Sequence, residues 1–297
     1  MNIIEVENLT KVYGTLTAVD HISFTVEKGT MLGFLGINGA GKSTAINMLS
    51  TLLQPDDGTA TLCGHRLGRE DDAIRRKIGI VYQKNCLDGL LTVKENLLCR
   101  GILHGASRAQ ANAQLIRLSE ILKLGDILKK QFRLLSGGQK RRCEIAAALM
   151  HTPEILFLDE PTTGLDPATR KDVWEIIKTL REEENTTVFL TTHYMEEAAE
   201  ADQIIILDHG KIVTSGTPFA LKERYARDKL RLFCDPAKLD LAGTITPFGL
   251  ELPIGSTLDA LPILEQVKDR IEGFEVIQGN MDDVFLNAVG HELKQEA

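Results

Sequence analysis

The residues Gly36, Ile37, Asn38, Gly39, Ala40, Gly41, Lys42, Ser43 and Thr44 carry the spacing G-x-x-x-x-G-K-S, which suits a polyphosphate. The glycines let backbone N–H groups converge on phosphate oxygens. The run STAINMLSTLL opens a helix whose positive dipole end points at the same place, and Lys42 is long enough to reach the β and γ phosphates. The Ser43 hydroxyl is a hard oxygen suited to Mg²⁺. The segment also lies where such a loop belongs, after the apolar run MLGFL and before that helix.

A second cluster ends the apolar run ILFLDE. Asp159 and Glu160 there form a carboxylate pair, and the carboxyl end of a strand in an open α/β sheet is where ligands bind. By itself such a pair is an ordinary solvated strand end. Beside a phosphate loop it acquires two tasks, with Asp159 placed for the Mg²⁺ shell and Glu160 placed to accept a proton from, or orient, an attacking water. His193 closes the next apolar run, TVFLTTH, at the same edge and has the reach to hydrogen-bond a γ-phosphate; a lone histidine is more often a helix cap or a surface residue. Gln83 closes IGIVYQ, where its amide can touch Mg²⁺ or the water, or simply face solvent.

These residues need a framework of strands. Short β-rich runs at 3–6, 22–26, 31–35, 59–62 and 78–82 read as a mixed sheet, and residues 84–150 then turn helical, with apolar positions three and four apart. Sheet signals return at 155–160 and 187–193. Between them runs a helix from Pro167 to about Glu184, with Asp166 as N-cap and proline at its first position, so strand, helix and strand imply a parallel unit. QIIILDHGKIVTSG reads as a hairpin turning at His209 and Gly210, and Thr217-Pro218 opens another helix. A boundary near Tyr225 divides residues 1–225, with a helical subdomain at about 84–152, from a small α+β extension at 226–297; in the extension the strand KLRLFCD is followed by a helix at 256–273, the strand FEVIQ and the helix MDDVFLNAVG.

Composition narrows the class. A net charge of −8 argues against coating nucleic acid or anionic lipid, so any anion must be held locally. No apolar run approaches the roughly 18 residues needed to span a bilayer, and the acidic start lacks a signal-peptide pattern, so a cytoplasmic location is expected. The five cysteines are odd in number and form no C-x-x-C pair, which predicts reduced, mostly buried thiols.

Leu135-Ser136-Gly137-Gly138-Gln139 lies upstream of the acidic pair at the opening of a helix. Ser136 is a good N-cap, and the segment offers free N–H groups to an anion. The segment resembles the LSGGQ signature of ABC ATPases, and residues 2–222 present that family's motifs in order. The resemblance implies an α/β fold of the P-loop NTPase type, with a mixed sheet core, an antiparallel β subdomain and a helical subdomain. It implies ATP hydrolysis with Mg²⁺ and a head-to-tail dimer, homo- or heteromeric, in which Ser136, Gly137, Gly138 and Gln139 contact the ATP held by the other chain's cradle. By the same resemblance Tyr13 stacks on adenine, Gln83 links nucleotide to the membrane subunit, Asp166 faces the dimer and His193 is the switch histidine. The alternative for Tyr13, an aromatic beside Gly14, is simple packing against the sheet. The stretch 84–97, with Leu87, Leu90, Leu91 and Val93, resembles the receiver of a separate membrane permease, although those apolar groups also suit internal packing. The tail resembles those of subunits serving multidrug and polyketide exporters. That makes export the favoured reading over an importer motor or a non-transport ATPase, with the chain peripheral on the cytoplasmic face of the membrane.

Overall fold

The computed structural model describes residues 1–236 and 239–295. The chain opens as an antiparallel hairpin, β1 (Asn2–Tyr13) and β2 (Leu16–Glu27), to which β4 (Asp57–Leu62) and β5 (His65–Arg66) add in the order β2-β1-β4-β5. Both hairpin strands run well beyond the expected 3–6 and 22–26. Register shifts between Val6 and Leu9 and between Leu9 and Lys11 break the period-two alternation by which a strand is recognised.

A second, six-stranded sheet has the order β10-β9-β3-β8-β7-β6. It joins β3 (Met31–Leu35), β6 (Ile78–Val81), β7 (Ile155–Asp159), β8 (Thr187–Thr192), β9 (Gln203–Asp208) and β10 (Lys211–Gly216), parallel throughout except for the β9–β10 hairpin. β3 and residues 155–158 of β7 are buried throughout because both faces of the sheet are covered, which is why MLGFL and ILFL read as continuous apolar runs. Alternate residues choose the face. Leu32, Phe34, Phe157 and Phe189 pack toward helix α1 (Lys42–Leu49) and the antiparallel sheet, with the Phe189 ring 5.2 Å from those of both Phe34 and Phe157. Leu35, Leu156, Leu158 and Leu190 face the helical layer.

That layer contains α3 (Val93–Leu103), α4 (Arg108–Ile121) and α5 (Gly137–Leu149), each opened by a Thr or Ser capping box. Helix therefore begins at Val93, not near residue 84. The Asn96 side chain ties the loop before it by accepting from Asp88 N–H and donating to the Asp88 carbonyl, both at 2.9 Å, and Thr92 caps the helix. Another short helix, α2 (Asp71–Lys77), precedes β6, and α6 (Pro167–Glu184) joins β7 to β8 with Asp166 as its N-cap.

After α7 (Met195–Ala198) and α8 (Pro218–Tyr225), a third sheet of the order β12-β13-β11-β14 is built from β11 (Asp228–Phe233), β12 (Thr244–Thr246), β13 (Gly249–Ile254) and β14 (Gly273–Ile277). Its own core gathers Leu230, Leu232, Leu250 and Leu252 under α9 (Ala260–Val267). The helix expected over 256–273 starts later, at Ala260, because Pro262, lacking an N–H, is tolerated only in a first turn, and it ends at Val267, where the chain passes into a 3₁₀ turn at Lys268–Arg270 before β14. Helix α10 (Met281–Gln295) leaves that core and lays Met281, Val284 and Ala288 into the main one, against α7 and α8. Among the described residues no helix is long and apolar enough to cross a membrane. The cysteines depart from expectation, since only Cys143 is buried, Cys63 and Cys234 are half-buried, and Cys86 and Cys99 are exposed.

His151, just beyond α5, secures the start of β6 by donating from Nε2 to the Ile78 carbonyl at 2.9 Å, and its ring stacks on His104 at 3.9 Å. Burial, reinforced by the His104 charge, pushes the imidazole from 6.5 down to about 4. Between those values the unfolded chain binds a proton that the folded chain refuses, so this group's contribution to stability falls as pH drops through that window. Urea titrations of the parent and His151→Gln should therefore show the stability difference moving in the variant's favour as pH is lowered from about 6.5 toward about 4. A difference independent of pH would show that His151 is not held neutral.

Candidate active site

The parallel strands β3, β6, β7 and β8 deliver their carboxyl ends to one edge of the sheet, and the loops that follow carry the candidate residues. From β3 the chain turns at Gly36, where a Cβ would stand 2.6 Å from the Leu207 carbonyl oxygen and 2.8 Å from Ala40 Cβ, so no side chain fits. Gly41, at φ +105°, caps α1 in a conformation costly for other residues, and a Cβ there would strike the Ala18 carbonyl. No side chain caps this helix, so its first amides are left for an anion. Lys42 is only 5% exposed; its ammonium donates to the carbonyls of Gly36 at 2.7 Å and Ile37 at 3.1 Å. Burial holds the Lys42 pKa below its usual value, opposed by Glu160 and then Asp159.

Glu160 is the meeting point. Its backbone sits at φ +45°, a left-handed conformation uncommon outside glycine, and its N–H donates to the Thr191 carbonyl at 3.1 Å. That turn directs the carboxylate inward. Oε2 accepts from Gln83 Nε2 at 3.0 Å and Thr163 Oγ1 at 3.1 Å, while Oε1 lies 3.3 Å from His193 Nδ1 and 4.0 Å from Lys42 Nζ. The His193 contact has ion-pair distance without hydrogen-bond alignment, so Nδ1 is buried without a hydrogen-bond partner. The His193 ring packs on Tyr194 at 4.2 Å, and Tyr194 lies under the Arg170 guanidinium at 4.1 Å. Asp159 Oδ1 accepts from Thr191 Oγ1 at 2.7 Å.

Ser43, Asp159 and Gln83 suit a hard divalent cation. They offer a hydroxyl, a carboxylate and, because the Gln83 amino group faces Glu160, a free amide oxygen. Among the described residues no cluster of three or more His, Cys, Asp or Glu side chains could hold a metal ion.

The signature residues do not join this cluster. Ser136 caps α5 in a reciprocal box with Gln139 (3.1 and 3.4 Å), and Ser136 and Gly137 are exposed. Gly138 lies so close to Thr169 that a Cβ would overlap the threonine methyl. Thr169 in turn donates to Asp166 from its N–H at 3.0 Å and its hydroxyl at 2.5 Å. The Thr169 hydroxyl, with the backbone N–H second, holds the Asp166 carboxyl below its usual pKa. The signature and Asp166 thus form one outward patch separate from the cradle. Tyr13, at the end of β1 and 48% exposed, has the Lys11 ammonium 5.8 Å from its ring. Sequence reasoning missed Thr191 and Thr163, which orient the carboxylates. For Thr191 the available signal was the pair of adjacent threonines ending the strand TVFLTT, since a buried hydroxyl requires a partner; the exposed Thr163 carried no such signal.

A phosphate loop at the end of β3, with an acidic pair at the end of β7, the next strand but one in the same parallel sheet, defines a P-loop nucleoside triphosphatase. The family model described as ABC transporter matches residues 19–163. The daunorubicin/doxorubicin resistance ATP-binding protein of Streptomyces peucetius is 40% identical, over 97% of this chain and 92% of its own. The Nod factor export ATP-binding protein I of Paraburkholderia xenovorans is 37% identical over 98% of both. Among solved structures, a dimeric post-hydrolysis state of an ATP-binding cassette bound to ADP and Pi superposes with a TM-score of 0.66 at 29% identity, covering 72% of this chain and 98% of that one. The chain belongs to the ABC transporter family, as an ATP-binding and ATP-hydrolysing subunit.

The geometry places the Lys42 ammonium at the cradle, with its side chain already buried and turned toward the loop carbonyls. Lys42→Ala is expected to weaken nucleotide binding by about a hundredfold or more, about 2.7 kcal/mol, as measured by calorimetry. Parent affinity in that variant would remove Lys42 from the site.

Proposed function

We propose that this chain is the motor of an exporter whose permease is a separate protein, and that it works as a homo- or heterodimer closing around two ATP. The convergence of Gln83, His193 and Lys42 on Glu160 carries the catalytic reading. In it, the cradle amides and Lys42 bind the β and γ phosphates, and Tyr13 stacks on adenine. Glu160 takes a proton from, or aligns, the attacking water, with Gln83 and Thr163 fixing its carboxylate and His193 facing the γ-phosphate. Mg²⁺ held by Ser43, Asp159 and Gln83 would neutralise charge building on the β and γ oxygens. The uncharged helix end at Ser136, Gly137, Gly138 and Gln139, beside Asp166, is exposed at Ser136 and Gly137 and half-buried at Gly138 and Gln139, and its cap bonds stay within the helix, which favours service to the ATP of the other subunit.

Export is supported by the relatives, one named for drug resistance and one for Nod factor export. In this reading the chain sits on the cytoplasmic face of the membrane, residues 1–225 form the ATPase with its helical subdomain at 84–152, and residues 226–297 form an extension. The permease would dock on the 84–97 stretch. Leu87 and Val93 are committed to the core there, which leaves exposed Leu90 and half-buried Leu91 as the apolar contacts.

Glu160→Gln keeps the shape of the side chain and removes the charge that polarises water. ATPase turnover should fall about a hundredfold to ten-thousandfold while binding survives, so the variant should elute from gel filtration with Mg-ATP as a dimer. Adding Ser136→Arg to Glu160→Gln should abolish that dimer without weakening nucleotide binding by the monomer. Parent-like turnover in Glu160→Gln would sink the catalytic assignment, and a normal dimer in the double variant would sink the trans geometry.

A further inference from the structure

Helix α5 carries two buried charged side chains, Arg141 and Glu144, each only 6% exposed, that no catalytic step above uses. They lie three residues apart on one face, one to two turns beyond Ser136. The Arg141 guanidinium donates to the Tyr82 carbonyl at 2.6 Å and to the Asp159 carbonyl at 3.3 Å. Glu144 Oε1 accepts from the backbone N–H groups of Cys86 at 2.7 Å and Leu87 at 3.1 Å. Tyr82 immediately precedes Gln83, Cys86 and Leu87 follow it, and Asp159 immediately precedes Glu160. One helix therefore grips the Gln83 loop on both sides and holds the backbone from which Glu160 projects.

Buried charges make this grip stiff. A carboxylate or guanidinium removed from water is tolerable only while its hydrogen bonds are made, so sliding α5 against the loop would strand a charge in the core. It costs less for helix and loop to move together. We propose that Arg141 and Glu144 are positioning residues that bind the signature helix, the Gln83 loop and the Asp159–Glu160 strand end into one mechanical unit, so that a displacement of residues 84–92 moves Ser136 with it. This rests on the reading that Ser136 serves the ATP of the other subunit, and it adds how a partner seated on the loop would control that contact. The two anchoring side chains touch neither the cradle nor Lys42, so ATP affinity and turnover should separate when they are changed.

Hydrogen exchange on the Glu160→Gln chain tests this with the clasp intact. On adding Mg-ATP, the amides of Cys86 and Leu87 should slow together with those of residues 136–140, by factors agreeing within about threefold. With Glu144→Leu added, residues 136–140 should still slow while Cys86 and Leu87 no longer follow. In chains with Glu160 retained, Glu144→Leu and Arg141→Met should lower kcat about tenfold with KM for ATP within about twofold of the parent, and Glu144→Gln, which keeps an acceptor oxygen, should restore turnover. Unrelated protection factors for the two segments, or parent kcat in Glu144→Leu, would overturn the coupling. If Glu144→Leu does not fold, the exchange comparison in Glu160→Gln decides. Gel filtration of the same samples separates the two possible failures. A dimer with unrelated protection factors overturns the coupling alone, whereas no dimer removes the trans-ATP reading and this proposal with it.

Discussion

The site is organised around the pairing of one buried ammonium with two strand-end carboxylates. Lys42 stands 4.0 Å from Glu160 and feels Asp159 as well, at the place proposed for the triphosphate of ATP. In a chain of net charge −8, a polyanion can be admitted there only by closely placed donors, because the long-range field opposes it. Uncapped amides at the start of α1 and the Lys42 ammonium supply them. The loop carbonyls of Gly36 and Ile37 hold that ammonium in position.

The rest of the fold keeps that arrangement in register. Both faces of the parallel sheet are covered, one by α1 and the antiparallel sheet and the other by the helical layer, so neighbouring strands cannot slip without moving phenylalanines or leucines out of packed cores. With register fixed, the four loops at the carboxyl edge are fixed too. The buried threonines then make the fine adjustment. Thr191 binds Asp159 and the Glu160 backbone, and a buried Glu197 accepts hydrogen bonds from Thr162 and Thr192, tying the strand that carries Glu160 to the one that carries His193.

Signature and cradle are separated within one chain, and the separation follows from helix geometry. Ser136 ends a helix whose buried face is committed to the core through Cys143, Ile145 and Leu149, and its neighbour Gly138 is pressed against Thr169. A polar, exposed helix N-terminus held this firmly can serve an anion only if the anion comes to it. That constraint supports the proposed dimer, in which this helix end meets the ATP of the other subunit, and the family's solved structures include a dimer bound to ADP and Pi.

Local chemistry was legible in the sequence because it depends on neighbours along the chain. The phosphate loop, the Asp166 cap before Pro167, the Ser136 box and the buried parallel strands each declare themselves within about ten residues. The long β1 and β2 strands escaped because their bulges destroy the alternation that identifies a strand, and α9 was overestimated because one proline sets its start. The tail helix MDDVFLNAVG was readable as a helix, but nothing in it declared that it would return to the main core. Only the tertiary structure decided that Gln83, Glu160 and His193, far apart in the chain, meet around one carboxylate, and that Arg141 and Glu144 grip the Gln83 loop. A lone glutamine, a lone histidine or a charge on a helix carries no mark of its partner, since its partner is set by strand order and by which face of α5 is buried.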